Sequence, residues 1–172
     1  MIIKDSHIKL IAIFVCIHLI LFAGLVHPEN NSIQNLTYIL FEWEQIPGAY
    51  GYQLQASPTD DFTNNLIDTT DSTLLYIDRG NLEWETEYFW RVKPVLNNGM
   101  EGVWSETFSF SIGEKRSIAE TIIIDQEQIA DGLTVFGAFF DYFSAIIDRN
   151  GREIWNTGET DIIYYNSSPY VD

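Results

Sequence analysis

The stretch Leu82-Glu83-Trp84-Glu85-Thr86-Glu87-Tyr88-Phe89-Trp90-Arg91-Val92 decides the fold. A leucine precedes a tyrosine by six residues, and from Tyr88 onward Tyr88, Trp90 and Val92 fall at every second position. That pattern describes a loop climbing into a strand buried on one face. Upstream, Phe41 and Trp43 share one face of another alternating run, Tyr38 to Glu44. A strand-embedded tryptophan followed by a Leu…Tyr…Trp…Val strand is the core pattern of a small Greek-key β-sandwich. Such a sandwich is ordinarily a binding or spacer module without chemistry of its own.

Strand and turn signals continue on both sides. Ile46-Pro47-Gly48-Ala49 breaks the first run, because proline fixes φ and glycine frees it. Tyr52, Leu54 and Ala56 then alternate with Gln53 and Gln55. Ser57 to Asp61 reads as a turn, Leu66-Ile67 and Leu74 to Ile77 as short strands, and Asn97-Asn98-Gly99 as a hairpin turn. Trp104 to Ile112 alternates and closes the domain. Arg91 and Phe89 point away from the core. With Trp104 on the neighbouring strand, Arg91 stacks over it as a cation–π pair, either as a structural ladder or as a ligand contact.

Composition narrows the chemistry. The 172 residues suffice for one ordinary domain and a remainder. The net charge of −16 repels phosphate backbones and anionic headgroups, so nucleic acid is excluded as a partner. The one cysteine, Cys16, and the three histidines, His7, His18 and His27, all precede Pro28. The remainder therefore holds no disulfide, no Cys/His zinc site and no Ser-His-Asp triad. No cofactor, no metal site and no catalytic residue is expected. Asp60, Asp61, Asn64 and Asn65 lack the spacing of a calcium loop and read as solvated. Asp78-Arg79-Gly80 carries no adhesive meaning in that order.

Lys4 and Lys9 precede an apolar run, Leu10 to Val26. A basic start and an apolar segment of this length read as a secretory signal. An uncleaved anchor and a buried core helix are the alternatives, since a spanning helix needs roughly 20 apolar residues. The expected organisation is a helical leader or anchor over 1–27, a linker over 28–36, a sandwich over 37–113 and a β-meander over 119–172.

Several motifs fall in one order with suitable gaps: Phe41-x-Trp43, Gly48-Ala49 with Tyr52-x-Leu54-x-Ala56, Leu82-x3-Thr86-x-Tyr88-x-Trp90-Arg91-Val92, and Gly102-Val103-Trp104-Ser105-Glu106. Over residues 33–113 the chain resembles a fibronectin type III domain. The resemblance implies that Leu82 packs beneath the loop and that Tyr88 makes the corner hydrogen bond. Trp43, Leu82, Tyr88, Trp90, Arg91 and Trp104 are thus the expected structural residues.

After Gly113, a polar boundary precedes Thr121-Ile122-Ile123-Ile124, an expected strand. Asp131 to Gly137 is a Gly-rich entry to a strand, strands follow at Tyr142 to Asp148 and Arg152 to Asn156, with Arg149-Asn150-Gly151 as a tight turn, and another is expected at Ile162 to Asn166. Asp131 to Phe136 followed by Ala145 to Asn156 resembles the opening of bacterial arylsulfotransferase-like β-propellers. That resemblance implies sulfate transfer through a histidine and arginines of later blades. No residue here matches them, so none is carried over. A propeller needs four to eight blades, so either the sequence is the N-terminal fragment of a larger protein or the meander is an appendage of the sandwich.

The functional expectations are therefore an exported, all-β binding or spacer module that is secreted, periplasmic or at the cell surface. Its partner would be a protein or a polysaccharide, and it would touch membrane only through residues 10–26. The alternatives are the N-terminal part of an active aryl sulfate sulfotransferase and a structural component of a cell-surface complex.

Overall fold

A computed structural model describes residues 23–96, 102–118, 121–122, 124–125, 127, 132–138 and 143–159. The strands run β1 Leu25–His27, β2 Ser32–Gln34, β3 Leu40–Trp43, β4 Ala49–Ser57, β5 Ile67–Asp71, β6 Leu75–Ile77, β7 Glu87–Leu96, β8 Phe108–Ile112, β9 Leu133–Ala138, β10 Phe143–Asp148 and β11 Glu153–Asn156. They make a three-stranded sheet β1-β3-β6, a five-stranded sheet β2-β8-β7-β4-β5, and a separate meander β11-β10-β9.

Alternation explains the layering. Along β7, Tyr88, Trp90 and Val92 are buried while Phe89 and Arg91 are only half-buried. On β4, Tyr52, Leu54 and Ala56 face the same interior. Phe41 and Trp43 arrive from the other sheet. The Phe41 ring meets Trp90 edge-on at 5.3 Å and Phe110 at 5.9 Å, and Trp43 meets Tyr52 at 5.7 Å. Each buried side chain of this size contributes about 1.5–3 kcal/mol through lost water contact. The ring pairs add about 0.5–1.5 kcal/mol each.

The corner after β6 is closed by two buried residues. Leu82 lies in the core at 3% exposure, and the Tyr88 hydroxyl accepts a hydrogen bond from the Glu83 N–H at 2.9 Å. Tyr88→Phe removes the acceptor and leaves the ring. It is expected to lower stability by about 1 kcal/mol, read as a lower urea midpoint at an unchanged slope. An unchanged midpoint would mean that water replaces the hydroxyl without cost.

The expected N-terminal helix is corrected where the chain is described. No helix occurs among the described residues, and none there is long and apolar enough to cross a membrane. Leu25 to His27, inside the stretch assigned to the leader, is strand β1 and pairs antiparallel with β3, Leu25 opposite Trp43. The reason is tertiary. Ala23 is buried, Leu25 packs against the sandwich core, and the Glu44 N–H donates to the Gly24 carbonyl at 2.8 Å. Residues 1–22, with His7, Cys16 and His18, lie outside the described residues. The segment read as a linker contains β2, which pairs parallel with β8.

Other boundaries shift for local reasons. Gly102 to Thr107 is not strand; Ser105 instead ties that stretch to β7, its N–H donating to the Val92 carbonyl and its hydroxyl accepting from the Val92 N–H. Thr121, Ile122 and Ile124 are not strand either, and both isoleucines are largely exposed. The Asn97-Asn98-Gly99 turn, Ile123, Tyr142 and Ile162 to Asn166 lie outside the described residues.

Candidate functional site

Two places gather polar chemistry: the outer face of the five-stranded sheet, and the seam between sandwich and meander.

On the sheet face, β4 and β7 bring Gln55 opposite Arg91 and Gln53 opposite Lys93, while β5 brings Asp68 opposite Gln55. Asp68 accepts from the Gln53 amide at 2.7 Å and from the Gln55 amide at 2.9 Å. Gln55 in turn accepts two bonds from the Arg91 guanidinium, at 3.0 and 2.7 Å. That guanidinium lies 3.8 Å from the centre of the Phe62 ring and 4.3 Å from that of Trp104. Lys93 reaches the same Trp104 ring at 4.7 Å. Burial pushes the Arg91 pKa down, opposed by the nearby Asp68 charge, yet arginine stays charged at any physiological pH. The cation is held by two rings and an amide, an arrangement that fixes the strands and leaves little of Arg91 to offer a ligand.

The turn after β4 is closed on itself. Asp61 accepts from the Thr59 hydroxyl at 2.6 Å, the Thr63 N–H at 3.1 Å and the Thr63 hydroxyl at 3.0 Å. These bonds hold its pKa below the ordinary carboxylate value, with the Thr59 hydroxyl foremost. Asp71 is lowered likewise, chiefly by the Thr73 N–H. Both folded values lie below the unfolded ones. Their stabilisation is therefore present above the ordinary carboxylate pKa and is lost as pH falls through the lowered values. Carboxyl-carbon NMR titration is expected to show both midpoints below the ordinary aspartate value. Ordinary midpoints would dissolve this account of the two turns. Asp78 is buried and accepts from the Gly80 and Asn81 N–H groups and the Asn81 amide, a turn with no carboxylate to spare for adhesion.

The seam is built around Glu153, which is 0% exposed. Its carboxyl accepts from the Arg116 N–H at 3.1 Å, from the Ser117 N–H, and from the Asn156 amide at 2.6 Å. Asn156 also donates to the Glu114 carbonyl at 2.8 Å and accepts from the Gly158 N–H at 2.7 Å. The Glu153 carbonyl takes the Trp84 indole N–H at 3.0 Å. Trp84 is therefore a seam residue. Alongside, Asn35 to Thr37 adds to the outer edge of β11. The Thr37 N–H donates to the Ile154 carbonyl at 2.8 Å, the Asn156 N–H donates to the Asn35 carbonyl at 3.0 Å, and Leu36 bridges Trp155.

Arg116 donates to the Gly158 carbonyl and lies over the Phe143 ring. A groove of about 680 Å³ runs beside the seam, lined by Ile33, Asn35, Glu114, Arg116, Thr157 and Glu159 among others. Among the described residues no group of three or more His, Cys, Asp or Glu is arranged to hold a metal. Arg152 is bridged to Asp148 at 3.3 Å across the hairpin turn.

Of the residues singled out from sequence, Trp43, Leu82, Tyr88 and Trp90 come together in the core, and Arg91 and Trp104 meet on the outer face. Glu153, Asn156 and Arg116 had no such signal. A glutamate opening a short strand reads as solvent-facing, and the N–H groups that satisfy it lie 37 and 36 residues away.

The chain matches no protein-family model and no curated protein. Solved structures similar to it include a Fn3-like protein from Clostridium thermocellum, 21% identical with a TM-score of 0.40, covering 55% of this chain and 93% of that one. Another is a Streptomyces avermitilis alpha-L-rhamnosidase complexed with L-rhamnose, 14% identical with a TM-score of 0.38, covering 70% of this chain but 12% of that one. The fold assignment rests on the strands themselves: two facing sheets of order β1-β3-β6 and β2-β8-β7-β4-β5, with the Leu82–Tyr88 corner between them. The sandwich is fibronectin type III-like. In this fibronectin type III-like unit the Glu153 seam lies at the side where β2 and β8 end.

Proposed function

We propose that the chain is an exported, non-catalytic binding and spacer module whose fibronectin type III-like sandwich holds the following meander in one orientation. The observation that carries this reading is the seam. A spacer that merely separates its neighbours needs a flexible linker. Here the connection is a buried carboxyl with three donors, an indole bond and two backbone bonds to the edge of β11. Export is supported by Lys4 and Lys9 ahead of the apolar run. The acidic surface favours a neutral or basic protein, or a neutral polysaccharide, over nucleic acid.

A finer reading makes the chain the N-terminal part of an arylsulfotransferase-like protein. It is supported by the β9-β10-β11 meander with its Asp148–Gly151 turn. On either reading the 172-residue chain is expected to transfer no sulfate from a phenyl sulfate to a phenol. Turnover above the uncatalysed rate would overturn the non-catalytic assignment.

Residual dipolar couplings test the spacer role directly. Amides of β7 and of β10 are expected to fit one alignment tensor. Two different tensors would mean that the units tumble separately, and the orienting role would fall.

A further inference from the structure

The two edges of the meander are treated differently. The outer edge of β11 is closed by Asn35 to Thr37. At the other end β9 pairs with β10 in unbroken register, from Leu133 opposite Asp148 to Ala138 opposite Phe143. Among the described residues nothing pairs with the second edge of β9. Proteins blunt such edges with charges, prolines, bulges or a covering segment. The sequence of β9, Leu-Thr-Val-Phe-Gly-Ala, has no charge and no proline, and its register carries no bulge. Leu133 and Val135, two apart and so on one face, are 53% and 42% exposed.

We propose that the edge of β9 left unpaired among the described residues docks β9 of a second copy of this chain, as an antiparallel pair centred on Val135. The strand is self-complementary in that register. A two-fold axis normal to the sheet keeps each face on its own side. It sets Val135 against Val135, Leu133 against Gly137 and Thr134 against Phe136. The two copies of Leu133 and Val135 then make one apolar strip, and two three-stranded meanders become one continuous sheet. Charge selects the same place. Each copy carries −16, and like charges at an interface are costly. A charge-free edge is where two such chains can approach without setting carboxylates against each other. Salt is expected to strengthen the pair by screening the remaining repulsion.

The test uses the full chain in mild detergent, which shields the apolar N-terminal segment. Sedimentation equilibrium is expected to give twice the 19.8 kDa chain mass, and Val135→Lys to return it to a single chain mass. In a Cys16→Ser background, Val135→Cys is expected to form an intermolecular disulfide under mild oxidation. Opposed residues of an antiparallel pair lie about 4.5–5.5 Å apart between α-carbons, inside the span a disulfide tolerates. Val103→Cys, at 47% exposure on the sandwich, is the control. Cross-linking at 135 is expected to run about tenfold faster, because pairing raises the local thiol concentration. A single chain mass at all salt concentrations, equal rates at 103 and 135, or a dimer indifferent to Val135→Lys would each overturn the proposal. The cysteine comparison stands even if the lysine variant fails to fold.

Discussion

Glu153→Ala is expected to cost about 3 kcal/mol and to divide a single unfolding transition into two. Three donors converge on this carboxyl at full burial. An unsatisfied buried donor costs about 1–3 kcal/mol, and alanine leaves the Arg116 and Ser117 N–H groups without this acceptor. Glu153→Gln keeps one oxygen but turns an NH2 group towards N–H donors, so an intermediate loss is expected. Hydrogen exchange at Arg116 and Ser117 reads the mechanism, because both amides should lose protection in the alanine variant while Trp90 keeps its own. A loss under about 0.5 kcal/mol, the scale of ordinary surface substitutions, would show that the seam is wet and does not fix the meander.

Trp90→Ala is expected to be the most damaging single change in the sandwich, at about 3–5 kcal/mol. The side chain is 0% exposed, with Phe41 edge-on at 5.3 Å and Phe108 at 6.1 Å. Its removal opens a cavity between two sheets that the flanking strands cannot collapse. Trp90→Phe should be much milder than the lost volume suggests. The indole Nε1 of Trp90 is buried without a partner, and phenylalanine removes that unmet donor along with part of the ring. Urea unfolding of both variants decides the point. Equal losses would mean that indole shape, not polarity, governs the site.

The core was legible because its signal is periodic and local. Tyr88, Trp90 and Val92 alternate within five residues, and Phe41 and Trp43 within three. The outward direction of Arg91 follows from the alternation of β7, whereas Trp104, expected on a neighbouring strand, reaches the guanidinium from a stretch that is not strand. Residues 25–27 were misread because hydropathy cannot separate an apolar leader from an apolar edge strand when the two run together; pairing with β3 decides it. The seam was illegible because a buried carboxyl depends on distant backbone donors, which leave no trace in spacing. Ser105 shows the same limit on a small scale, replacing a strand by a side-chain bond to Val92.

The parallel pairing of β2 with β8 sets how the module carries tension. Ser32, Ile33 and Gln34 lie beside Phe110, Ser111 and Ile112 in the same direction. The chain enters β2 at its N-terminal end and leaves β8 at its C-terminal end. A pull on the two ends drags these strands past each other along their length. All their cross-strand bonds, with Asn31 to Ser109 and Gly113 to Gln34 at the flanks, are then loaded together instead of opening one after another. Stretched between Asn30 and Gly113, the β2–β8 pair should hold as a shear clamp, with the short β2 as the piece that gives first.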